Sequence, residues 1–329
     1  MAVPVALLAA TGVVGQKVIH LFDKHPEFQI TELISSEKNQ GMKYQDVVNW
    51  QEKQEIPENI KNLVLKSADQ IEAKYVISSL PADVARVIEP KLAEKGKHII
   101  SNASAMRMNP DVPLIIPELN FEHLDLIRKQ KSSGKIITNP NCTTVFTALA
   151  LAPLKELAEV EHVSVVTLQA ISGAGFSGLY STEIMGNVIP YIEQEEEKIA
   201  TETKKILGEI DSPADFEMTI NVNRVAVLHG HTVILHIQFA KEITPEMAYQ
   251  NYLSWNKKHP DLFEIYREGY PTPLRNITDD DQRTHIARIR SSEKKNMLTV
   301  VAMGHNLVRG AAGAALLNLE KSYQILENL

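Results

Sequence analysis

The 329 residues contain one cysteine, Cys142. A lone thiol cannot close an intrachain disulfide, which fits a reducing compartment. Positive charge is in deficit: 34 Lys and Arg against 41 Asp and Glu leave a formal charge of -7. That balance argues against broad, sequence-independent nucleic-acid binding, which needs a cationic surface, but leaves room for a local cationic pocket. No stretch reaches the roughly 18 apolar residues of a membrane span. The apolar N-terminus "MAVPVALLAATGVVG" lacks the basic start of a signal peptide and is broken early by glycine. There is no internal repeat, low-complexity tract or flexible linker. These absences read as a soluble, cytoplasmic protein without a nucleic-acid or membrane partner, long enough for two ordinary domains.

What is present in the first half is an alternation of two periods. "VPVALLAA" is a short apolar run ending in small residues, "GVVGQKVIHLFDKH" has apolar residues at helical spacing, and "FQITELISS" reads as a strand. "KYVISSL", "ADVARVIEPKLAEKG" and "KHIISNAS" continue the pattern as strand, helix, strand, and "PLIIPELN" and "KIITNPN" predict two further short strands. Strands alternating with helices imply an α/β, Rossmann-type parallel sheet with helices on both faces.

The pattern changes after Cys142. "CTTVFTALALAPLKEL" reads as a buried helix, and a glutamate-rich helical stretch runs from Tyr191 to Leu207. Around it lie long β-rich runs: "EHVSVVTLQAIS", "FEMTINVNRVAVLHG", "HTVILHIQFA", "HIARIRSS" and "NMLTVVAMGH". Few crossover helices join them, which suggests an α+β domain with a mainly antiparallel sheet. The end, "RGAAGAALLNLEKSYQIL", is helical. The expected division is residues 1–141 plus 306–329 for nucleotide binding and 142–305 for catalysis and dimerisation. Charge runs such as "EQEEEK" and "TDDDQR" are ordinarily solvated.

"LLAATGVVGQ" lies between the first strand and the first helix. Gly12 and Gly15 there can bring backbone N–H groups close to a pyrophosphate, which a helix N-terminus also attracts. The competing explanation is small residues packing a helix on a sheet. An acidic residue ending the second strand would select NAD. This strand ends in Ser35 and Ser36, followed by Glu37 and Lys38. Hydroxyl and ammonium donors suit the 2′-phosphate of NADP, with Glu37 an awkward neighbour.

Cys142 follows Pro140 and Asn141 at the start of an apolar helix. A helix N-terminus lowers a thiol's pKa, and its N–H groups could hold an oxyanion. Asn141 is a candidate N-cap. A buried cysteine acting as a small hydrophobe accounts equally well for the residue. A nucleophile needs a base, and "NRVAVLHGHTVILH" concentrates three histidines. His229 and His231 flank Gly230 at a plausible turn, whereas His236 lies within a strand. Arg224, in an apolar strand, needs an anionic partner if buried, either a protein carboxylate or a substrate.

Taken together, "ATGVVGQ", "SSLPADVA", "SNASAMRM", "VPLIIPELN", "NPNCTT", "TLQAISGAGFSG", "EEEK", "NRVAV" with "GHT", and "GHNLVRGAAGA" resemble the aspartate-β-semialdehyde dehydrogenase family, in its archaeal and fungal branch. The stretches run in family order from residue 9 to residue 315. The resemblance implies NADP-dependent reduction of aspartyl phosphate to the semialdehyde, on the way to lysine, methionine and threonine. It implies Cys142 as nucleophile, His231 as acid/base and Gln169 as the glutamine that orients the substrate. It assigns Arg224 to the substrate α-carboxylate, Glu195 to the amino group, Arg107 and Lys198 to the phosphate, and Asn141 to a place beside the nucleophile.

For NADP the resemblance implies the Thr11, Gly12, Val13, Val14 turn with Ser35, Ser36 and Lys38. It adds Ser79, Leu80, Ser172 and Gly173, with Asn306 near the nicotinamide amide. No metal is expected, and a homodimer or homotetramer is implied through the second domain's sheet. Two departures stand out: Ala9 replaces the usual first glycine, which would strain the backbone at positive φ, and His229 offers a rival base. The alternative substrate is another acyl donor, as in an archaeal-type malonyl-CoA reductase. An alternative of another kind is a catalytically silent NADP-binding subunit.

Overall fold

A computed structural model of the chain describes residues 2–175 and 178–329; Phe176 and Ser177, within "TLQAISGAGFSG", lie outside the described residues. The chain divides into two compact units, residues 1–140 with 311–329 and residues 141–310. Asn141 and residues 306–310 thus fall in the second unit, where the sequence reading put them in the first. Asn141 caps the helix that begins at Cys142, and a π-turn at Val308–Ala312 brings Gly310 against that same helix start.

The first unit is built on β1 (Val3–Leu8), β2 (Phe28–Ile34), β3 (Tyr75–Ser78), β4 (His98–Ser101) and β5 (Ile136–Thr138). All its strand pairings are parallel, in the order β2-β1-β3-β4-β5. Alternate side chains feed two cores. Val5, Leu7, Tyr75 and Ile77 pack on one face with Val18 and Ile19 of α1 (Val13–Phe22) and Leu319 of the C-terminal helix Gly313–Glu327. Ala6, Leu8, Val76 and Ile99 pack on the other face with Leu92 and Ala93 of α2 (Ala82–Glu94). A sheet covered on both faces needs continuous apolar strands, as "VPVALLAA" foreshadowed. "PLIIPELN" departs from expectation: Leu114 makes only an isolated bridge to Thr138, and Pro117–Asn120 is a short helix. Pro117 lacks an N–H for a ladder but suits a helix's first turn.

The strand order places its switch point between β1 and β3, where ligands of such sheets bind. The turn after β1 lies there, with Ser79 bonded by its N–H to the Leu8 carbonyl at 3.3 Å. Tyr44 Oη donates to the Ala10 carbonyl and Gln16 Nε2 to the Thr11 carbonyl, which fixes the turn. A methyl on Gly15 would stand 2.5 Å from the Ala9 carbonyl oxygen, so only glycine allows this approach of helix to turn.

The second unit holds a seven-stranded sheet in the order β10-β11-β12-β9-β6-β8-β7. Its strands are β6 (Val160–Gln169), β7 (Val188–Ile189), β8 (Glu217–Val225), β9 (His231–Phe239), β10 (Phe263–Ile265), β11 (Thr284–Ser291) and β12 (Met297–Gly304). Only β10 with β11 and β6 with β8 pair in parallel, so the sheet is mixed and mostly antiparallel. The buried helix α3 (Cys142–Lys155) packs on one face, flanked by α4 (Glu195–Leu207) and α5 (Pro245–Lys258). Gly304 lets β12 pass beneath it, since a methyl there would fall 2.1 Å from a Phe146 ring carbon. Among the described residues no helix is long and apolar enough to cross a membrane.

Ala9 adopts φ 59, the left-handed region. An L-residue there costs roughly 1–2 kcal/mol, whereas glycine costs about 0.5–1 kcal/mol in unfolded-chain entropy. Ala9→Gly is therefore expected to stabilise the protein by up to about 1 kcal/mol, read from the urea unfolding midpoint. Unchanged or lower stability would contradict the strain.

Candidate active site

The thiol sits at the head of α3, and Asn141 determines how that helix starts. Its φ of -55 and ψ of 142 end the preceding loop. Its Oδ1 accepts the N–H groups of Thr143 at 2.8 Å and Thr144 at 3.2 Å. Its Nδ2 donates to both oxygens of Glu195, at 2.8 and 3.1 Å. Its backbone N–H donates to Glu202 Oε2 at 2.6 Å. Residues seven apart lie on one face of a helix, so α4 presents both carboxylates to this one asparagine. Lys198, one turn into α4 and half-buried, takes no part in these bonds.

Three neighbouring strand ends supply the rest. Gln169 closes β6 and is in register with Arg224 on β8. Gln169 Nε2 donates to Glu195 Oε2 at 3.2 Å, tying the glutamine to the clamp. Arg224 is 7% exposed and donates from Nη1 to the Ala170 carbonyl at 2.7 Å. Among the described residues no carboxylate forms an ion pair with it. Burial holds its pKa below the usual arginine value, opposed by the nearby Cys142 and Glu195. The sequence left a protein or a substrate carboxylate open as its partner; among the described residues Glu195 is near enough to act on its charge but forms no ion pair with it.

His231 opens β9 and is fully buried. Its Nε2 lies 3.2 Å from Cys142 Sγ. Its Nδ1 accepts the Ala170 N–H at 3.0 Å. Burial, then the charges of Arg224 and His305, lower its pKa from 6.5 to about 3. The structure thus brings His231 to the sulfur, whereas the ring of His229 lies tilted against that of His305 with centroids 5.2 Å apart. His236 is a strand residue paired with Thr299 Oγ1 at 3.0 Å. The turn into β9 depends on Gly230, at φ 99, whose N–H donates to Asn306 Oδ1 at 2.9 Å. Asn306 Nδ2 in turn donates to Ser172 Oγ at 2.9 Å.

Two glycines keep the centre narrow. A methyl on Gly173 would stand 3.0 Å from Arg224 Nη1 and 3.4 Å from His231 Nε2. One on Gly310 would stand 2.8 Å from Cys142 Cβ. Ala170, Glu202 and Gly310 were assigned no role from the sequence, although Ala170 and Gly310 fall within stretches that carry the family resemblance. Ala170 acts through its peptide groups, Glu202 lies past the "EQEEEK" run, one helical turn on, and Gly310 works by having no side chain.

The other expected residues lie in the first unit. Thr11, Gly12, Val13 and Val14 are half-buried at the start of α1, which has no acidic residue in its first turn and no side-chain cap. Its N–H groups suit a pyrophosphate. Ser35 is half-buried, while Ser36 and Lys38 are exposed at the end of β2. Ser79 and Leu80 follow β3 and are half-buried. Arg107 follows β4, is 7% exposed, and donates from Nη2 to the Asn102 carbonyl at 2.6 Å. Beneath it Glu89 accepts from Ser101 Oγ at 2.6 Å, and burial raises its pKa.

This arrangement can generate a nucleophilic sulfur, hold an anionic substrate at Arg224, and bind a dinucleotide in the first unit. Known proteins point the same way. Residues 4–127 match the family described as "Semialdehyde dehydrogenase, NAD binding domain", and residues 151–309 match its "dimerisation domain". An aspartate-semialdehyde dehydrogenase of Methanothermobacter thermautotrophicus is 41% identical, covering 98% of this chain and 100% of its own. That of Schizosaccharomyces pombe is 37% identical over 96% of each chain. The crystal structure of the Candida albicans enzyme with NADP superposes with a TM-score of 0.88 at 31% identity, covering 100% of both chains. With its thiol, imidazole and arginine gathered as described, and with similarity running end to end, the chain belongs to the aspartate-semialdehyde dehydrogenase family.

Proposed function

We infer that the protein catalyses the NADP-dependent reductive dephosphorylation of L-aspartyl-4-phosphate to L-aspartate-4-semialdehyde through a thioester on Cys142. The observation that carries the thioester is the 3.2 Å contact of Sγ with His231 Nε2 at the head of α3.

The Cys142 thiolate attacks the acyl carbon; a C–S bond forms, the C–O bond to phosphate breaks, and its electron pair leaves with the phosphate. Arg107 and Lys198 offset the phosphate's charge. Arg224 binds the α-carboxylate, and its geometry suits a carboxylate better than a lysine would. Glu195 takes the α-amino group, and Gln169 orients the acyl end. His231 serves the sulfur and the oxyanion formed on the carbonyl. NADPH, when bound, supplies the hydride. The first turn of α1 would hold its pyrophosphate, Ser35, Ser36 and Lys38 its 2′-phosphate, and Ser79, Leu80, Ser172, Gly173 and Asn306 the remainder. The dimerisation-domain match supports a homodimer or homotetramer. The single cysteine suits a reducing cytoplasm.

Oxidation of aspartate semialdehyde with NADP and phosphate, run beside malonyl-CoA reduction, tests the substrate: activity with malonyl-CoA alone would overturn the assignment. Cys142→Ser is expected to lower turnover on the order of 10⁴-fold or more, and near-normal NADP-dependent turnover would exclude covalent catalysis. Gly173→Ala pushes a methyl between Arg224 and His231 and is expected to lower kcat/KM roughly 10- to 100-fold, since small displacements at a reacting centre cost that much. Steady-state kinetics showing no change would separate Gly173 from the site.

A further inference from the structure

The buried face of α2 carries one ionisable group. Its buried residues are Ala85, Glu89, Leu92 and Ala93, at helical spacing, and Glu89 is 0% exposed. That face packs on the side of the parallel sheet lined by Val76 and Ile99. Two positions further along the same strands stand Ser78 and Ser101, partners in the β3–β4 register and both fully buried. The helix therefore sets a carboxylate against two hydroxyls at the carboxyl ends of two strands, where ligands of such sheets bind.

An apolar residue at this position would spare the fold the desolvation of a charge. What the carboxylate does instead can be traced bond by bond. Glu89 Oε1 accepts from Ser101 Oγ at 2.6 Å. The same Oγ accepts the Ala103 N–H at 3.1 Å, which fixes the turn out of β4. The carbonyl between them, that of Asn102, accepts from Arg107 Nη2 at 2.6 Å. Asn102 is itself held: its N–H donates to the Ser78 carbonyl at 2.9 Å, and its Oδ1 accepts from Asn139 Nδ2 at 2.9 Å. Arg107 is thus seated on a turn whose shape Glu89 maintains.

The two charges also act on each other directly. Burial raises the pKa of Glu89, and the hydroxyls of Ser101 and Ser78, then the charge of Arg107, oppose that rise. Arg107 is itself only 7% exposed. With no phosphate bound, the carboxylate keeps a buried guanidinium from standing as an uncompensated charge.

We propose that Glu89 is a positioning residue for phosphate: as a buried carboxylate it holds Arg107, through Ser101 and by charge, in the orientation that receives the phosphate of the acyl donor. This rests on the acyl-phosphate reading above and adds a residue to which neither the sequence nor the family resemblance gives a role. A long side chain that must order itself around an oxyanion loses rotamer freedom on binding. One already seated on a fixed turn beside a fixed counter-charge has lost it beforehand, and its planar fork then meets the phosphate oxygens at once.

The test is oxidation of aspartate semialdehyde with NADP and phosphate by the full-length protein carrying Glu89→Gln, which keeps an oxygen for Ser101 and removes the charge. Its kcat/KM for phosphate is expected to fall roughly 10-fold, as a small misplacement of a binding group does. Its KM for NADP is expected to stay within about twofold of the wild-type value. In an Arg107→Lys background, adding Glu89→Gln is expected to change phosphate use by less than about twofold, because the two residues act as one unit. An unchanged kcat/KM for phosphate, an equal rise in the KM for NADP, or fully additive effects of the two substitutions would each overturn the proposal. Should Glu89→Gln fail to fold, Ser101→Ala decides: it breaks the bridge and leaves the carboxylate, and unchanged phosphate use by that variant would overturn the proposal. Wild-type protein that reduces malonyl-CoA and makes no use of phosphate would sink the acyl-phosphate reading itself. Wild-type protein that uses phosphate, beside an unaffected Glu89→Gln, would sink the role of Glu89 alone.

Discussion

Asn141 is held from three directions, and the geometry of the reacting centre follows from that. Its carbonyl amide oxygen caps α3, its amide nitrogen reaches Glu195, and its peptide N–H reaches Glu202. Each bond involves a charged group or an otherwise orphaned helix N–H, so each is stronger than an ordinary neutral bond or replaces an unsatisfied donor. The clamp orients the first turn of α3, and with it the sulfur. It also uses α4 as a second support, so the residue that would take the substrate's amino group is aligned by the residue beside the nucleophile.

The second constraint is strand register. Pairing of β6 with β8 and β9 sets Gln169, Arg224 and His231 at the same end of three adjoining strands. A shift of one residue would send these side chains to the opposite face. Ala170, just past the end of β6, then offers its carbonyl to Arg224 and its N–H to His231. The apolar strands around these residues are therefore part of how the site is aimed, in addition to being its scaffold.

Much of this was legible beforehand because it depends on local physics. "VPVALLAA" followed by a small-residue turn predicts a buried strand feeding a helix, and the strand and turn are there. "NPNCTT" predicts a helix N-cap at Asn141, and the bonds to Thr143 and Thr144 are those of a cap. Arg224 stood out as a cation in an apolar strand, and its burial bears out the concern about its partner. "PLIIPELN" misled because its apolar composition outweighed its prolines. The sequence could not decide between His229 and His231 without the family resemblance, since both flank the same glycine.

Composition and pattern alone determined that this chain has a parallel nucleotide-binding sheet, then a mainly antiparallel one, with a single thiol between the two stretches of sequence. Those features arise from hydrophobic period, turn chemistry and caps, which act over a few residues. Only the tertiary structure decided that Glu202 would meet the Asn141 N–H across 61 positions, that Ala9 would take a left-handed φ, and that Ala170's N–H would meet Nδ1 of a histidine equally far along the chain. The reason is physical: backbone groups are the same at every residue, so what they bind is set by packing and register rather than by the side chain the sequence records.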